Sequence, residues 1–246
     1  MDKYQLFHQL HHQQIGFVLA NAWDLSSAQF IQAAGAKAVA TTSWGIAESL
    51  GLADGENISF QTQLALVKSL TKYIHIPLSV DIESGYSNDP LQISQNVLAL
   101  AKLGVAGINI EDSDKDTNAL RSIKQQCTII SEIKKVLNEN GFGSLFINAR
   151  TDTYFVSDSP FKVTLKRAKA YQDAGADGLF VPGLTNIEHI TSLASAIDMP
   201  LNVMAMNNFN SAKAAFAGGA KRFSLGNSLY DLVGNTIKTS LTQIEN

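Results

Sequence analysis

The chain of 246 residues has one cysteine, Cys127, which excludes a disulfide-stapled scaffold. Its five prolines are scattered, and no Pro/Ser-rich linker divides it. No stretch approaches the roughly 20 apolar residues that a bilayer-spanning helix requires. The opening MDKYQLFHQLHHQQ has no apolar run before a small-residue cleavage point, so a cytoplasmic protein without a membrane partner is expected. Charge is sparse and nearly balanced, 19 Lys+Arg against 22 Asp+Glu, with no basic block to leave a footprint for nucleic acid. What the chain has is apolar bulk: 45% hydrophobic against 17% charged residues supports a full core. Length alone allows one or two domains, and a parallel α/β barrel fills about 250 residues as a single unit.

A short apolar run, a turn and a helix-period segment recur along the sequence, the pattern of βα units on a parallel sheet. Strands are predicted at residues 17–21, 38–42, 77–81, 107–111, 145–150, 178–181, 201–203 and 222–225, with helices such as 26–34, 91–103, 123–140 and 160–174 between them. Four helices end in near-copies of one phrase, AAGAKAVA, KLGVAGINI, DAGADGLFV and AGGAKRFSL. In each, a glycine is expected to stop the helix in a left-handed backbone. Eight strands, each followed by a helix, predict a single-domain (β/α)8 TIM barrel over 1–246, preceded by a short N-terminal helix. The dinucleotide fingerprint is missing, because Gly141-Phe142-Gly143 precedes a strand and lacks a third glycine. In the N-terminal helix, His8 and His12 share a face. No nearby carboxylate or cysteine completes a ligand set, which favours a polar face opposite buried Tyr4, Phe7 and Leu10 over a metal site.

Chemistry in such a barrel gathers at the carboxyl ends of the strands. The second strand ends in Thr41, Thr42 and Ser43, the third in Asp81 and Glu83, the fourth in Asn109, Glu111 and Asp112. The fifth closes with Asn148, a substrate-binding candidate, followed by Arg150 and Asp152. Asp81 and Glu83, two apart, would point to one side of a strand, and Glu111 on the neighbouring strand can face the same spot. Three carboxylates without a cation repel one another and raise their pKa values; a hard divalent ion such as Mg²⁺ removes that cost. Helix capping or lysine pairing at the rim would suit one acid better than three. Arg150 could grip a substrate carboxylate with two parallel hydrogen bonds, or serve as counter-ion to Asp152 or Glu111. Ser43-Trp44-Gly45 offers a hydroxyl and backbone amides where the second strand runs into a glycine loop, an anion nest. No histidine or lysine stands at a strand end, which argues against a Schiff-base aldolase. Cys127 falls in a helix as a small apolar residue.

The runs NAWDLSSAQFIQAAGAKAVATTSWGIAESLG, DIESGYSNDP, GINIEDS, INARTD, FVPGL and SLGNSLYDL follow one another over nearly the whole chain. Together they resemble the isocitrate lyase / phosphoenolpyruvate mutase superfamily, above all its small single-domain bacterial members. The resemblance implies the same barrel, and Mg²⁺ or Mn²⁺ held by Asp81, Glu83 and Glu111, with Glu83 replacing the family's second Asp. It implies that Asp54, in the LADGE turn, helps through a metal-bound water. Ser43, Trp44 and Gly45 would hold the oxo-acid end of a small-molecule substrate, and Arg150 its carboxylate. Isocitrate and methylisocitrate lyases carry a Lys-x-Cys-Gly-His lid; here the segment reads EDSDKDTNALRS, without Cys, Gly or His, which counts against those two activities. Mutase and phosphonopyruvate hydrolase members carry a lysine and an Asn or Thr before Ser-Leu. Lys115 and Asn118 are the partial match and the candidate catalytic lid residues; the same segment also reads as a solvated loop entering a helix.

The expected activity is that of a metal-dependent lyase or decarboxylase of a small 2-oxo or 2-hydroxy acid, passing through a metal-stabilised enolate. With no strong acid in the lid, CO₂ suits as a leaving group and oxaloacetate as one substrate. The alternatives are a C–P bond enzyme, phosphonopyruvate hydrolase or phosphoenolpyruvate mutase-like, with Lys115 facing the phosphonate, and a non-catalytic oxo-acid-binding or structural protein. The resemblance also implies a homotetramer or homodimer exchanging the last helix. Its stripe of Leu229, Leu232, Val233, Ile237 and Leu241 fits exchange and packing on its own barrel equally.

Overall fold

In a computed structural model, residues 2–115, 117 and 119–244 are described; the lid candidate Asn118 lies outside them. Eight parallel strands close into one barrel: β1 (Phe17–Ala22), β2 (Val39–Thr41), β3 (Leu78–Asp81), β4 (Gly107–Glu111), β5 (Phe146–Arg150), β6 (Gly178–Phe180), β7 (Leu201–Met204) and β8 (Arg222–Ser224). Each pairs with its sequence neighbours, and β8 returns to β1. The protein is a (β/α)8 barrel. Strand β4 matches its predicted range residue for residue, and the other seven differ by a residue at one or both ends.

The repeated phrase works as predicted. Gly35, Gly104, Gly175 and Gly219 all have φ between 83° and 100°, the left-handed turn that ends one helix and lets the chain drop back to the next strand. Helix starts are capped in the same local manner. Asp24 and Ser122 each form a capping box, and Ser59, Asp89 and Ser211 cap through one acceptor, each cap contributing about 1 kcal/mol. Outward strand residues Val80, Ile108, Ile110 and Ile147 pack on Ile93, Val97, Ile129 and Ile133 of the surrounding helices. No helix among the described residues is long and apolar enough to cross a membrane.

Helix Lys3–His12 closes the amino-terminal end of the barrel. Phe7 and Leu10 are buried as predicted, but so is His11, 1% exposed and stacked on Phe146 at 4.0 Å. His8 and His12 bond the carbonyls of Ser144 and His8, and among the described residues no metal cluster forms there. Above this aromatic plug the interior turns polar. Asn109, Asn148, Asn202 and Arg222, contributed by four strands, are each at most 3% exposed and hydrogen-bond to one another.

Candidate active site

At the carboxyl ends of β3, β4 and β5 the register sets Asp81 beside Asn109 and Glu111 beside Arg150. Arg150 Nη1 lies 2.9 Å from Glu111 Oε2 and 4.0 Å from Asp81 Oδ2. Glu83 reaches the same spot by a route the strand argument did not anticipate. β3 ends at Asp81, and Glu83 has φ +50°, so a turn rather than strand alternation aims its side chain. Its Oε2 accepts the Glu56 amide at 2.7 Å, while Glu56 Oε1 accepts from Ser84 Oγ and the Tyr86 amide, both at 2.8 Å. Glu56 therefore ties the loop carrying Asp54 to the end of β3, a role no sequence motif signalled.

Lys115 Nζ sits between two of the acids, 2.5 Å from Glu111 Oε1 and 3.3 Å from Glu83 Oε2. It follows directly on Ser113–Asp114, which pairs with Ala119–Leu120 in a short antiparallel ribbon. Burial, with the charge of Asp54 added, pushes the Glu83 carboxyl up to about 8. Burial also raises Glu111 and Asp81, against the opposing pull of Arg150. For Lys115, burial works against the charge, and the carboxylates of Glu111 and Glu83 outweigh it, so its pKa rises.

Arg150 is already engaged. Its Nε and Nη2 form a fork on Asp152 at 2.7 and 3.2 Å, so the two parallel bonds anticipated for a substrate carboxylate are made internally. One N–H on each terminal nitrogen is left over, and Arg150 lines the cavity. The anticipated glycine nest is instead the first turn of helix Ser43–Ser49. Thr42 caps it by accepting the Gly45 amide at 3.2 Å, which removes that amide from ligand binding. Glycine is needed there for close packing, since a Cβ would stand 2.8 Å from Thr42 Cγ2 and 3.2 Å from Trp23 Cβ. Ser43 Oγ donates to Asp81 Oδ2 at 3.2 Å.

These residues frame a cavity of about 120 Å³ in the mouth of the barrel, lined among others by Ser43, Trp44, Asp54, Asp81 and Arg150. Asn148 is not among its lining residues and belongs to the polar layer beneath, whereas Asn109 and Ser224, polar strand-end residues given no role in the sequence reading, line the cavity together with Asn227, which no motif signalled. Gln63, also missed, donates to the Asp81 carbonyl at 2.5 Å and holds that strand end. Asp112 turns away from the cavity to meet Thr151, Arg167 and Tyr171, so it is scaffold. Cys127 is half-buried against the Ala170 carbonyl. As arranged here, no three acids among the described residues form a ready metal cluster. The donor set still has the chemistry of a hard-cation site: three buried carboxylates, each raised in pKa, of which Glu83 and Glu111 meet one ammonium and Asp81 lies beside Arg150.

A sequence model of the phosphoenolpyruvate phosphomutase family matches residues 7–245, and the chain belongs to that family. It is 37% identical to the uncharacterized protein Rv1998c of Mycobacterium tuberculosis, over 91% of this chain and 83% of that one. It is 27% identical to 2-methylisocitrate lyase of Salmonella typhimurium, over 74% of this chain and 63% of the lyase. With oxaloacetate decarboxylase of a Bradyrhizobium species it shares 29% identity over 64% of this chain and 56% of that enzyme. The chain thus spans less than two thirds of the length of both enzymes. Among solved structures, one from Burkholderia cenocepacia with a provisional phosphonomutase assignment has a TM-score of 0.92 at 33% identity, covering 98% of this chain and 99% of that one. This chain is an enzyme of the lyase and mutase kind.

Proposed function

We propose that the chain is a Mg²⁺- or Mn²⁺-dependent lyase, in the first instance a decarboxylase, of a small 2-oxo acid such as oxaloacetate. The observation that carries this reading is the chain of ion pairs in which Glu83 and Glu111 meet Lys115, and Glu111 and Asp81 meet Arg150, beside a small cavity that Asp81 and Arg150 line. The acids would hold the ion, with Asp54 acting from the rim. When bound, the ion supplies the positive charge that polarises a 2-oxo group and steadies negative charge developing on its oxygen. Ser43 and Asp81, hydrogen-bonded to each other, set the edge against which the oxo-acid end rests, beside Trp44. The remaining N–H groups of Arg150 orient a carboxylate, and its fork on Asp152 prevents the guanidinium from swinging away. Lys115, released from the acids, would face the ligand, and the family resemblance assigns Asn118 a catalytic role beside it.

The test is release of pyruvate and CO₂ from oxaloacetate, above the metal-catalysed background, by protein loaded with Mg²⁺ or Mn²⁺. Asp81→Ala is expected to abolish it, and unchanged activity in that variant would overturn the metal assignment. The Burkholderia similarity and the cation at the lid favour one second reading, cleavage or transfer at a C–P bond, which phosphate release from phosphonopyruvate would reveal.

We also propose that the working form is a homo-oligomer exchanging its last helix. Helix Ser228–Ile244 has no fully buried residue, and of its apolar stripe only Leu229 packs against the core of its own barrel. Tyr230 anchors its start against Trp23 and Trp44, while Leu232, Val233, Ile237, Leu241 and Ile244 are 46–81% exposed. Phe30, 76% exposed, borders a groove with Val233, and a second copy's stripe would cover both.

A further inference from the structure

Below the cavity the barrel interior holds a charge without a counter-charge. Arg222 is 0% exposed. Its Nε donates to Ser224 Oγ and its Nη2 to Asn109 Oδ1, both at 3.2 Å. Among the described residues its Nη1 has no acceptor. Arg150 and Arg167 rest on carboxylates at 2.7–3.0 Å, but no acid among the described residues pairs with Arg222, and Asp81 acts on it only from a distance. A guanidinium surrounded by neutral amides and hydroxyls costs more to bury than those groups return. An apolar side chain, the usual filling of such barrels, would occupy the space with less loss.

The location supplies a reason for the charge. Both acceptors, Asn109 and Ser224, line the cavity, so Arg222 lies one side chain beneath its floor. Asn109 Oδ1 accepts from Arg222 and, at 2.9 Å, from Asn148 Nδ2. What Asn109 has left for a ligand is therefore its Nδ2 amide, a donor, and its bond to a cation strengthens that donor. Among the charged residues that line the cavity, Asp54 and Asp81 stand against Arg150 alone, so a cation beneath the floor adds to the side that an anionic ligand needs.

We propose that Arg222 is a positioning residue for the anionic end of the ligand: it fixes the Asn109 amide toward the cavity floor and places an uncompensated positive charge beneath it. The inference rests on the oxo-acid reading of the cavity. It assigns the floor to a carboxylate or developing oxyanion, and it explains why a buried cation is retained where stability alone would remove it.

The test pairs Arg222→Met and Arg222→Lys with calorimetric titration of oxalate into Mn²⁺-saturated protein, and with thermal unfolding of the ligand-free form. Arg222→Met is expected to melt at or above the parent's temperature, to bind Mn²⁺ as the parent does, and to bind oxalate about tenfold more weakly or worse. Arg222→Lys, which keeps the charge, is expected to stay within about threefold of the parent. Parent-like oxalate binding by Arg222→Met would overturn the proposal and leave the oxo-acid reading standing. If Arg222→Met does not fold, Arg222→Lys decides, and a folded Lys variant that has lost oxalate binding overturns the role given to charge. A Mn²⁺-loaded parent that binds no oxalate would overturn the oxo-acid reading, and the role of Arg222 with it.

Discussion

The ammonium of Lys115 and the carboxylate of Glu111 meet at 2.5 Å, and the same nitrogen stands 3.3 Å from Glu83. A divalent ion using these acids must displace Lys115. Replacing Lys115 by Met removes the competitor and leaves the carboxylates to repel each other. Mn²⁺ is expected to bind this variant about tenfold more tightly in the absence of substrate, measured by calorimetry or by the loss of the free-ion paramagnetic signal. Weaker binding would show that Lys115 organises the acids instead of competing for them.

The acids also set a pH dependence. Burial raises Glu83 from an ordinary 4.5 to about 8, so between those values the native state holds a proton that the unfolded chain has released. Stability is then present below about pH 4.5 and lost as pH rises through about 8. Asp81 and Glu111 shift in the same direction. The metal-free protein should show a Tm that falls by several degrees from mildly acid to mildly alkaline pH. Glu83→Gln should flatten the decline, and saturating Mg²⁺ should suppress it. A Tm rising over that range would contradict this.

Arg167 tests scaffold against site. Its Nη1 lies 3.0 Å from Asp112 Oδ2, and Asp112 is fully buried. Arg167→Met strands that carboxylate without a cation and should cost about 3–5 kcal/mol in urea unfolding. Mn²⁺ affinity should not change, because Asp112 faces away from the cavity. A matching loss of metal binding would place Asp112 in the site after all.

The exposed stripe of the last helix gives a solution prediction. Leu232→Asp together with Val233→Asp should convert an oligomer to monomer in sedimentation velocity while far-ultraviolet dichroism stays the same. A parent that is itself monomeric at micromolar concentration would remove the exchange proposal.

The barrel was legible because each βα unit carries its own signals, an apolar run, a cap and a stop glycine, all local in sequence. The acids at the strand ends were legible for the same reason. Local signals failed where the determinant was a partner far along the chain. Thr42 reads as a strand residue until its hydroxyl is seen capping helix Ser43–Ser49. Glu83 was expected to face Asp81 by alternation, yet a left-handed turn and the Glu56 amide aim it. Arg222 sits in AGGAKRFSL beside Lys221, and nothing nearby marks one as buried and the other as a surface cation bonded to the Gln13 and Gln14 carbonyls.

The ribbon that carries Lys115 is pinched at its root. The Arg121 amide donates to the Asp112 carbonyl at 2.7 Å, and the Arg121 guanidinium bonds the carbonyls of Ser84 and Ser87 at 2.9 and 3.2 Å. Both ends of the segment are thus stapled to the barrel independently of what lies between them. Substitutions, insertions or deletions between Ser113 and Leu120 should leave folding almost untouched. Substrate preference can then diverge in that cassette while the rest of the chain stays constant, and libraries randomised there should yield soluble protein at nearly the parent's frequency.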